Sequence, residues 1–179
     1  MTKEKLVEQL DRWLRGRVDV NGKVDGHGSL GALTDIKKSY HADVGTFILG
    51  SCFIDAMASF RYGVTKSILK DRKSGERYKN FVKEYLPRYN EDDLYLSLRC
   101  GLVHNYVEHY GRYLLDSNDY SANLHLQPEG DRIWINRQKF VDDLESAYNN
   151  FRAHVLSDDK VFALAVNRLN SLGLMKISE

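Results

Sequence analysis

Apolar residues recur with the period of an α-helix along most of this chain, and almost nothing in the sequence interrupts them. The chain has 179 residues but only two prolines, the residue that most strongly breaks a helix. Helical patterns cover residues 3–17, 43–62, 76–86, 91–115 and 139–156, and a last helix is capped at 157–159 and runs to 172. The sequence therefore predicts an all-α helical bundle.

Two segments depart from this period. Residues 18–34 form a Gly-rich loop with short extended pieces, and residues 123–137 alternate apolar and polar side chains around a Pro-Glu-Gly-Asp turn. The second segment predicts a small β-hairpin inserted before the C-terminal helices of a single domain, 1–179. A G-x-G-x-x-G string lies at 26–31, but no βαβ pattern surrounds it, so it does not predict a dinucleotide site.

Overall composition restricts the class of protein. The formal net charge is +1, which excludes a protein that coats nucleic acid by total charge alone. The longest apolar stretch, 44–60, contains Asp55 and is shorter than the roughly 20 apolar residues of a membrane span. We therefore expect a cytoplasmic protein without a membrane segment, whose two cysteines, Cys52 and Cys100, are reduced thiols.

One segment is far more basic than the rest. Residues 61–88 hold nine basic and three acidic side chains, a local net charge of +6, with tyrosines between them. Basic side chains interleaved with aromatic ones suit phosphate contact and base stacking. The candidates for RNA binding are Lys70, Arg72, Lys73 and Arg77. The alternative is a solvated helix face.

Three polar residues interrupt the apolar helix pattern of 91–115, namely Arg99, His104 and Asn105. An arginine binds phosphate oxygens, and a histidine transfers protons near neutral pH. Metal-free cleavage of RNA needs both functions. In an α-helix five residues turn about 500°, which leaves the pair roughly 140° apart around the axis. Arg99 and His104 serve one site only if the helix is distorted near Gly101, or if a second copy of the chain supplies the complementary residue.

Two alternatives exist for the same residues. Arg99 can pair with Glu91, Asp92 or Asp55, in which case its role is structural. His104 can also join Glu108 and His109 in a metal site, although this spacing matches no common zinc motif.

Residues 99–106 read RCGLVHNY and contain the pattern R-x4-H-x-Y. This segment resembles the motif helix of HEPN-domain proteins, which are α-helical bundles. The resemblance implies a homodimer whose motif helices meet near a two-fold axis and cleave RNA without metal or other cofactor. By this resemblance His104 is the general acid/base and Arg99 the phosphate binder, supported by Asn105.

The resemblance also implies a biological setting and an alternative. Tyr106 matches the motif tyrosine, which in toxin–antitoxin members is nucleotidylated by a partner nucleotidyltransferase antitoxin; other members act in defence systems. Cys100 stands where the family usually has a polar residue, and a thiol is a weak hydrogen-bond partner. Because some HEPN proteins do not catalyse, the alternative function is a silent RNA- or protein-binding module.

Overall fold

The computed structural model describes residues 1–18, 24–27, 31, 33, 43–64, 73–105 and 111–172. These residues are mostly helical, as the periodicity predicts, and add a small three-stranded sheet and a two-stranded one. The helices are α1 (Lys3–Leu14), α2 (Asp43–Arg61), α3 (Ser74–Tyr85), α4 (Glu91–Leu94), α5 (Val103–Asn105), α6 (Arg137–Ser157) and α7 (Asp159–Ser171). A π-helical segment, Tyr95–Leu102, joins α4 to α5 without a break.

Helix α2 is the centre of the fold. It packs against α3, α6, α7 and the π-helical segment, and most of its large apolar side chains are buried. Among the described helices it alone is long and apolar enough to cross a membrane, and half of its most apolar window is buried inside the fold. That burial is typical of the central helix of a globular protein.

The helix ends follow from local capping. Asn90 accepts hydrogen bonds from the backbone of Asp92 and Asp93, and so starts α4 beneath an acidic first turn. Asp158 does the same for α7 through the backbone of Lys160 and Val161, within the cap that the sequence predicts. The predicted stop at Gly173 lies outside the described residues.

The sheet differs from the predicted hairpin. Strands β4 (Pro128–Glu129) and β5 (Arg132–Asn136) pair antiparallel around a two-residue turn at 130–131, and Gly130 supplies the left-handed conformation with φ of 59°. The prediction of a long strand before the turn is wrong. Asp119–Leu124 is a 3₁₀ helix, and Leu126, with φ of 64°, interrupts the extended backbone.

A third strand was predicted as helix. Residues Tyr113–Asp116 form β3, which pairs parallel with β5 in the register Tyr113 to Ile133. The predicted helix 91–115 therefore ends earlier. Gly111 has φ of 58°, a left-handed conformation that does not continue a helix, and the apolar spacing of 113–115 fits either period. In the Gly-rich loop, β2 (Val24–His27) is one of the expected short extended pieces. Its partner β1 (Gly16–Val18) begins before the loop, because the helix predicted over 3–17 ends at Leu14 and Gly16 has φ of 109°.

A buried polar network fixes the sheet to α6. The hydroxyl of Tyr89 donates to Oδ2 of Asp143 at 2.8 Å, and Nε2 of His125 lies 3.1 Å from the same oxygen. The backbone N–H of Asn136 donates to Nδ1 of His125 at 3.1 Å, so Nε2 carries the proton and donates to Asp143. His125, which is 7% exposed, is thus a buried anchor between the sheet and α6.

Candidate functional site

Arg99 and His104 come together on one face of the continuous helix 91–105. Nη1 of Arg99 lies 3.0 Å from Nε2 of His104. The π-helical segment explains this contact, because its backbone bonds join residues five apart rather than four. The N–H of Val103, for instance, donates to the carbonyl of Leu98. The helix is therefore distorted at Gly101, which removes the separation of roughly 140° that an α-helix imposes.

The hydrogen bond between the two side chains has only one direction. A guanidinium group donates and cannot accept, so Nε2 of His104 accepts and its ring proton sits on Nδ1. His104 is exposed, while the Arg99 side chain is 22% exposed. The basic nitrogen of the histidine and the arginine fork thus meet at the surface within a single chain.

Asp55 holds the arginine from the opposite side. Nε and Nη2 of Arg99 both lie 3.0 Å from Oδ2 of Asp55, across the interface between α2 and the π-helical segment. This leaves Nη1 for His104. The contact is one of the structural pairings that the sequence leaves open for Arg99, and it also fixes the guanidinium group in one orientation.

The other motif residues have different surroundings. Cys100 is half-buried, and burial raises the pKa of Tyr95, an effect to which the nearby Cys100 thiol adds. Asn105 is exposed, and its Nδ2 lies 3.5 Å from the Cys100 carbonyl, at the end of the π-helical segment. Asn105 therefore supports the backbone rather than the guanidinium group. Tyr106 lies outside the described residues.

Tyr95 connects the motif to α3. Its ring packs edge-on against Tyr78 with centroids 5.4 Å apart, and Nζ of Lys79 lies 5.4 Å from the ring centroid. A Cβ added at Gly75 would lie 2.7 Å from the Tyr95 hydroxyl oxygen. Glycine at the start of α3 is therefore what allows this ring to lie beside the site.

The fold neutralises part of the basic segment 61–88. Arg61 donates to both carboxylate oxygens of Glu84. Two lysines contact the acidic first turn of α4: Nζ of Lys79 lies 2.7 Å from Asp92, and Nζ of Lys83 lies 2.9 Å from Glu91. The local charge of +6 in sequence is thus not a surface charge of +6. Of the predicted RNA-binding residues, Lys73 is exposed, Arg77 is half-buried, and Lys70 and Arg72 lie outside the described residues.

Metal ligands do not gather in the described part of the chain. Among the described residues no three His, Cys, Asp or Glu side chains lie close enough together to hold an ion. Glu108 and His109, the other members of the metal alternative, fall outside these residues. His154 near the end of α6 hydrogen-bonds the hydroxyl of Tyr85 at 2.7 Å.

Sequence reasoning left the partner of Arg99 undecided among three acids and missed a second arginine. Asp55 could have been singled out as the one acid in the apolar stretch 44–60. Arg168 of α7, which is only 8% exposed, lies at the helical spacing of the buried stripe Val161, Ala165 and Leu169. An arginine on the apolar face of the last helix was therefore the signal that could have found it.

Comparison with known proteins does not extend this description, since no family model, no curated protein and no solved structure matches the chain.

Proposed function

We propose that this chain is a metal-independent endoribonuclease of the HEPN type, with Arg99 and His104 as its catalytic residues. The observation that carries this proposal is the 3.0 Å contact between Nη1 of Arg99 and Nε2 of His104 at the protein surface. A proton acceptor and a fixed cation at hydrogen-bond distance are the two groups that in-line attack of a 2′-hydroxyl on its phosphodiester requires.

The proposed reaction balances as follows. Nε2 of His104 takes the proton of the 2′-hydroxyl, the bond from O2′ to phosphorus forms, and the bond from phosphorus to O5′ breaks. The leaving O5′ takes a proton from water or from His104 of a second copy. Arg99 moves its Nη1 hydrogen bond from His104 to a phosphate oxygen and stabilises the added charge there. The products are a 2′,3′-cyclic phosphate and a 5′-hydroxyl.

Asp55 is the positioning residue in this scheme. It accepts from Nε and Nη2 of Arg99, so the guanidinium group is aligned before RNA arrives. This alignment supports catalysis because only Nη1 has to change its hydrogen-bond partner.

We also propose a homodimer in the cytoplasm. Helix α2 exposes Val44 (47%), Leu49 (38%) and Cys52 on the side that carries Asp55. A face about 140° wide containing these apolar groups lies next to Arg99, where a second copy would bring two Arg99–His104 pairs together. The biological setting would be a toxin–antitoxin or defence system, with Tyr106 as the target of a nucleotidyltransferase antitoxin.

A catalytically silent RNA- or protein-binding module is the second candidate. The observation that favours it is the pairing of Arg99 with Asp55, which occupies two of the three guanidinium nitrogens. Cys100 beside Arg99 also lacks the strong hydrogen-bonding group that active HEPN proteins commonly carry there.

Cleavage of a fluorescent RNA pool in EDTA separates the candidates. The wild type should cut RNA to fragments that end in 2′,3′-cyclic phosphate, which mass spectrometry identifies. Arg99→Gln and His104→Ala should each lose about 10²-fold or more of the rate, while circular dichroism still shows a folded, helical protein. Arg132→Gln, a matched change at an exposed position of β5, should retain the full rate. An inactive wild type across several RNA pools would favour the silent module.

A further inference from the structure

Nε2 of His104 is the atom that takes the proton in the proposed reaction, and it already has a partner within the chain. Nη1 of Arg99 donates to it at 3.0 Å, since a guanidinium group cannot accept a hydrogen bond. This nitrogen has a single lone pair, so it cannot accept from Arg99 and take the proton of a 2′-hydroxyl at the same time. The contact that joins the pair therefore also keeps the base from acting.

The rest of the guanidinium group is held by Asp55. Nε and Nη2 of Arg99 both lie 3.0 Å from Oδ2 of Asp55, which fixes the group on the side that faces α2. Nη1, whose partner is His104, is thus the nitrogen left for a phosphate oxygen. His104 and an incoming phosphate compete for the same donor.

His104 is the member of the pair that can move. Its side chain is exposed, whereas that of Arg99 is only 22% exposed and is paired with Asp55. An exposed side chain changes rotamer within about nanoseconds. Opening the contact therefore requires only that another acceptor takes the place of the imidazole.

A phosphodiester is an acceptor strong enough to do so. Because its Nε2 accepts from Nη1, the imidazole is neutral in this contact, whereas a phosphate oxygen carries negative charge. Hydrogen bonds between an ionised donor and an ionised acceptor are short and strong, and Coulomb attraction adds to them. Water, which is a neutral acceptor like the imidazole, lacks this advantage.

We propose that the contact between Arg99 and His104 is autoinhibitory, and that a phosphodiester of the RNA strand opens it by taking Nη1. This inference rests on the proposed ribonuclease function and deepens it by naming what activates the site. The phosphate of the substrate exposes Nε2 of His104 in the same step that binds the phosphate to Arg99. The base is then free only when a phosphodiester is in place.

Removing the imidazole distinguishes this role from that of an ordinary anion site. If His104 helped to bind phosphate, His104→Ala would bind it more weakly. Because His104 competes for Arg99, the variant should bind a phosphodiester about two- to tenfold more tightly, the range that the net free energy of one hydrogen bond gives. The probe is a thymidine dinucleotide, which has one phosphodiester but no 2′-hydroxyl and so is not cleaved. Calorimetry at about pH 8, above the usual titration range of histidine, measures the affinity.

A double-mutant cycle keeps the test specific to the contact. In the Arg99→Ala background, His104→Ala should no longer raise the affinity, because the donor for which the two acceptors compete is gone. Asn167→Ala removes an exposed neutral side chain from α7 and is the matched control, which should bind the dinucleotide as the wild type does. Circular dichroism should show that each variant is folded and helical.

The wild type provides a second readout that needs no substitution. In the free protein, ¹⁵N NMR of the imidazole should place the ring proton of His104 on Nδ1, as the contact with Arg99 requires. Saturation with the dinucleotide should shift the signal of Nε2, because this atom loses its hydrogen bond from Nη1.

Equal or weaker binding by His104→Ala, or an Nε2 signal that the dinucleotide leaves unchanged, would overturn the inference. If His104→Ala binds more tightly but the wild type cuts no RNA, the ribonuclease proposal fails and the competition for Arg99 stands. If the wild type cuts RNA while His104→Ala binds no more tightly, the autoinhibitory contact fails and the ribonuclease stands.

Discussion

Arg99 and His104 are separated by five residues, and their side chains touch because the helix between them is wound in π rather than α register. The 3.0 Å between Nη1 and Nε2 depends on that winding. A π-helical segment of this kind places residues five apart above one another. The same residues in an α-helix would point in directions roughly 140° apart.

The register can be tested by changing the length of the segment. Inserting one alanine after Cys100 moves the pair to six residues apart, and we expect cleavage to be lost while circular dichroism still shows a helical protein. Deleting Cys100 leaves the pair four apart, the spacing at which an α-helix places side chains together. The deletion should therefore retain more activity than the insertion, and the reverse order would contradict the role of the π register.

Asp55→Asn tests the positioning role of the carboxylate. We expect kcat to fall about tenfold to a hundredfold because the guanidinium group loses its fixed orientation. KM should not rise, since removing a negative charge beside Arg99 favours RNA binding. Steady-state kinetics on one labelled RNA measure both constants. A purely structural role would instead lower stability with kcat per folded molecule unchanged.

Gly75→Ala is expected to destabilise the fold by about 1–3 kcal/mol, because the new Cβ would press on the Tyr95 ring at 2.7–2.8 Å. The ring has little room to move, since Tyr78 and Lys79 pack against it. Gly45→Ala is the matched control within a helix: nothing lies within 4 Å of its added Cβ, so it should be neutral or stabilising by about 0.5–1 kcal/mol. Urea unfolding measures both variants.

The buried network around Asp143 predicts a dependence of stability on acid. Burial alone would raise the pKa of Asp143, but the hydrogen bonds from His125 and Tyr89 outweigh it and lower the pKa. A carboxyl group with a lowered pKa stabilises the fold above its unfolded pKa and loses that contribution as pH falls through the folded pKa. The Asp143→Asn variant should therefore lose less unfolding free energy than the wild type as the pH falls below the ordinary pKa range of aspartate.

At neutral pH the same variant should cost about 1–3 kcal/mol, because Tyr89 and His125 lose a charged acceptor. Urea unfolding at several pH values checks both effects. Asp142→Asn, the neighbouring aspartate on α6, is the control and should keep the acid dependence of the wild type. If the unfolding free energy falls equally with pH in the wild type, Asp143→Asn and Asp142→Asn, the network does not set the acid dependence of stability.

Leu49→Glu tests the homodimer. Leu49 is 38% exposed at one edge of the exposed face of α2, about 120° around the helix axis from Asp55, and a charge there should prevent close packing of a second copy on that face. Light scattering at micromolar concentration should show a dimeric wild type and a monomeric variant. Leu156→Glu is the matched control, since Leu156 is exposed to a similar extent (40%) on α6. A monomeric wild type would contradict the proposal directly.

The helices could be read from the sequence because their apolar stripes have one consistent period, and the structure confirms α1, α2, α3, α6 and α7 within a few residues. Tyr113 and Leu114 were assigned to a helix because two apolar residues in a row fit either period. Their place in a parallel strand depends on β5, some 20 residues away, and no local pattern encodes that partner.

Only the motif residues of the candidate site could be predicted from the sequence. Arg99 and His104 are visible as polar residues in an apolar helix, but π winding has no signal in side-chain type. The neutral surroundings of Arg168, and the carboxylates that cancel Lys79 and Lys83, arise from contacts between elements. Counting charges along 61–88 overstates the basic surface for the same reason.

The contact between Asp55 and Arg99 joins positions 44 residues apart. The site can therefore be recognised by a pair of distant residues as well as by its short motif. R-x4-H alone occurs often by chance. A chain that builds this site also needs an acid inside an apolar central helix and a glycine opening the next one, where a tyrosine ring lies against it. A search for distant relatives can therefore require this three-helix pattern as well as the short motif.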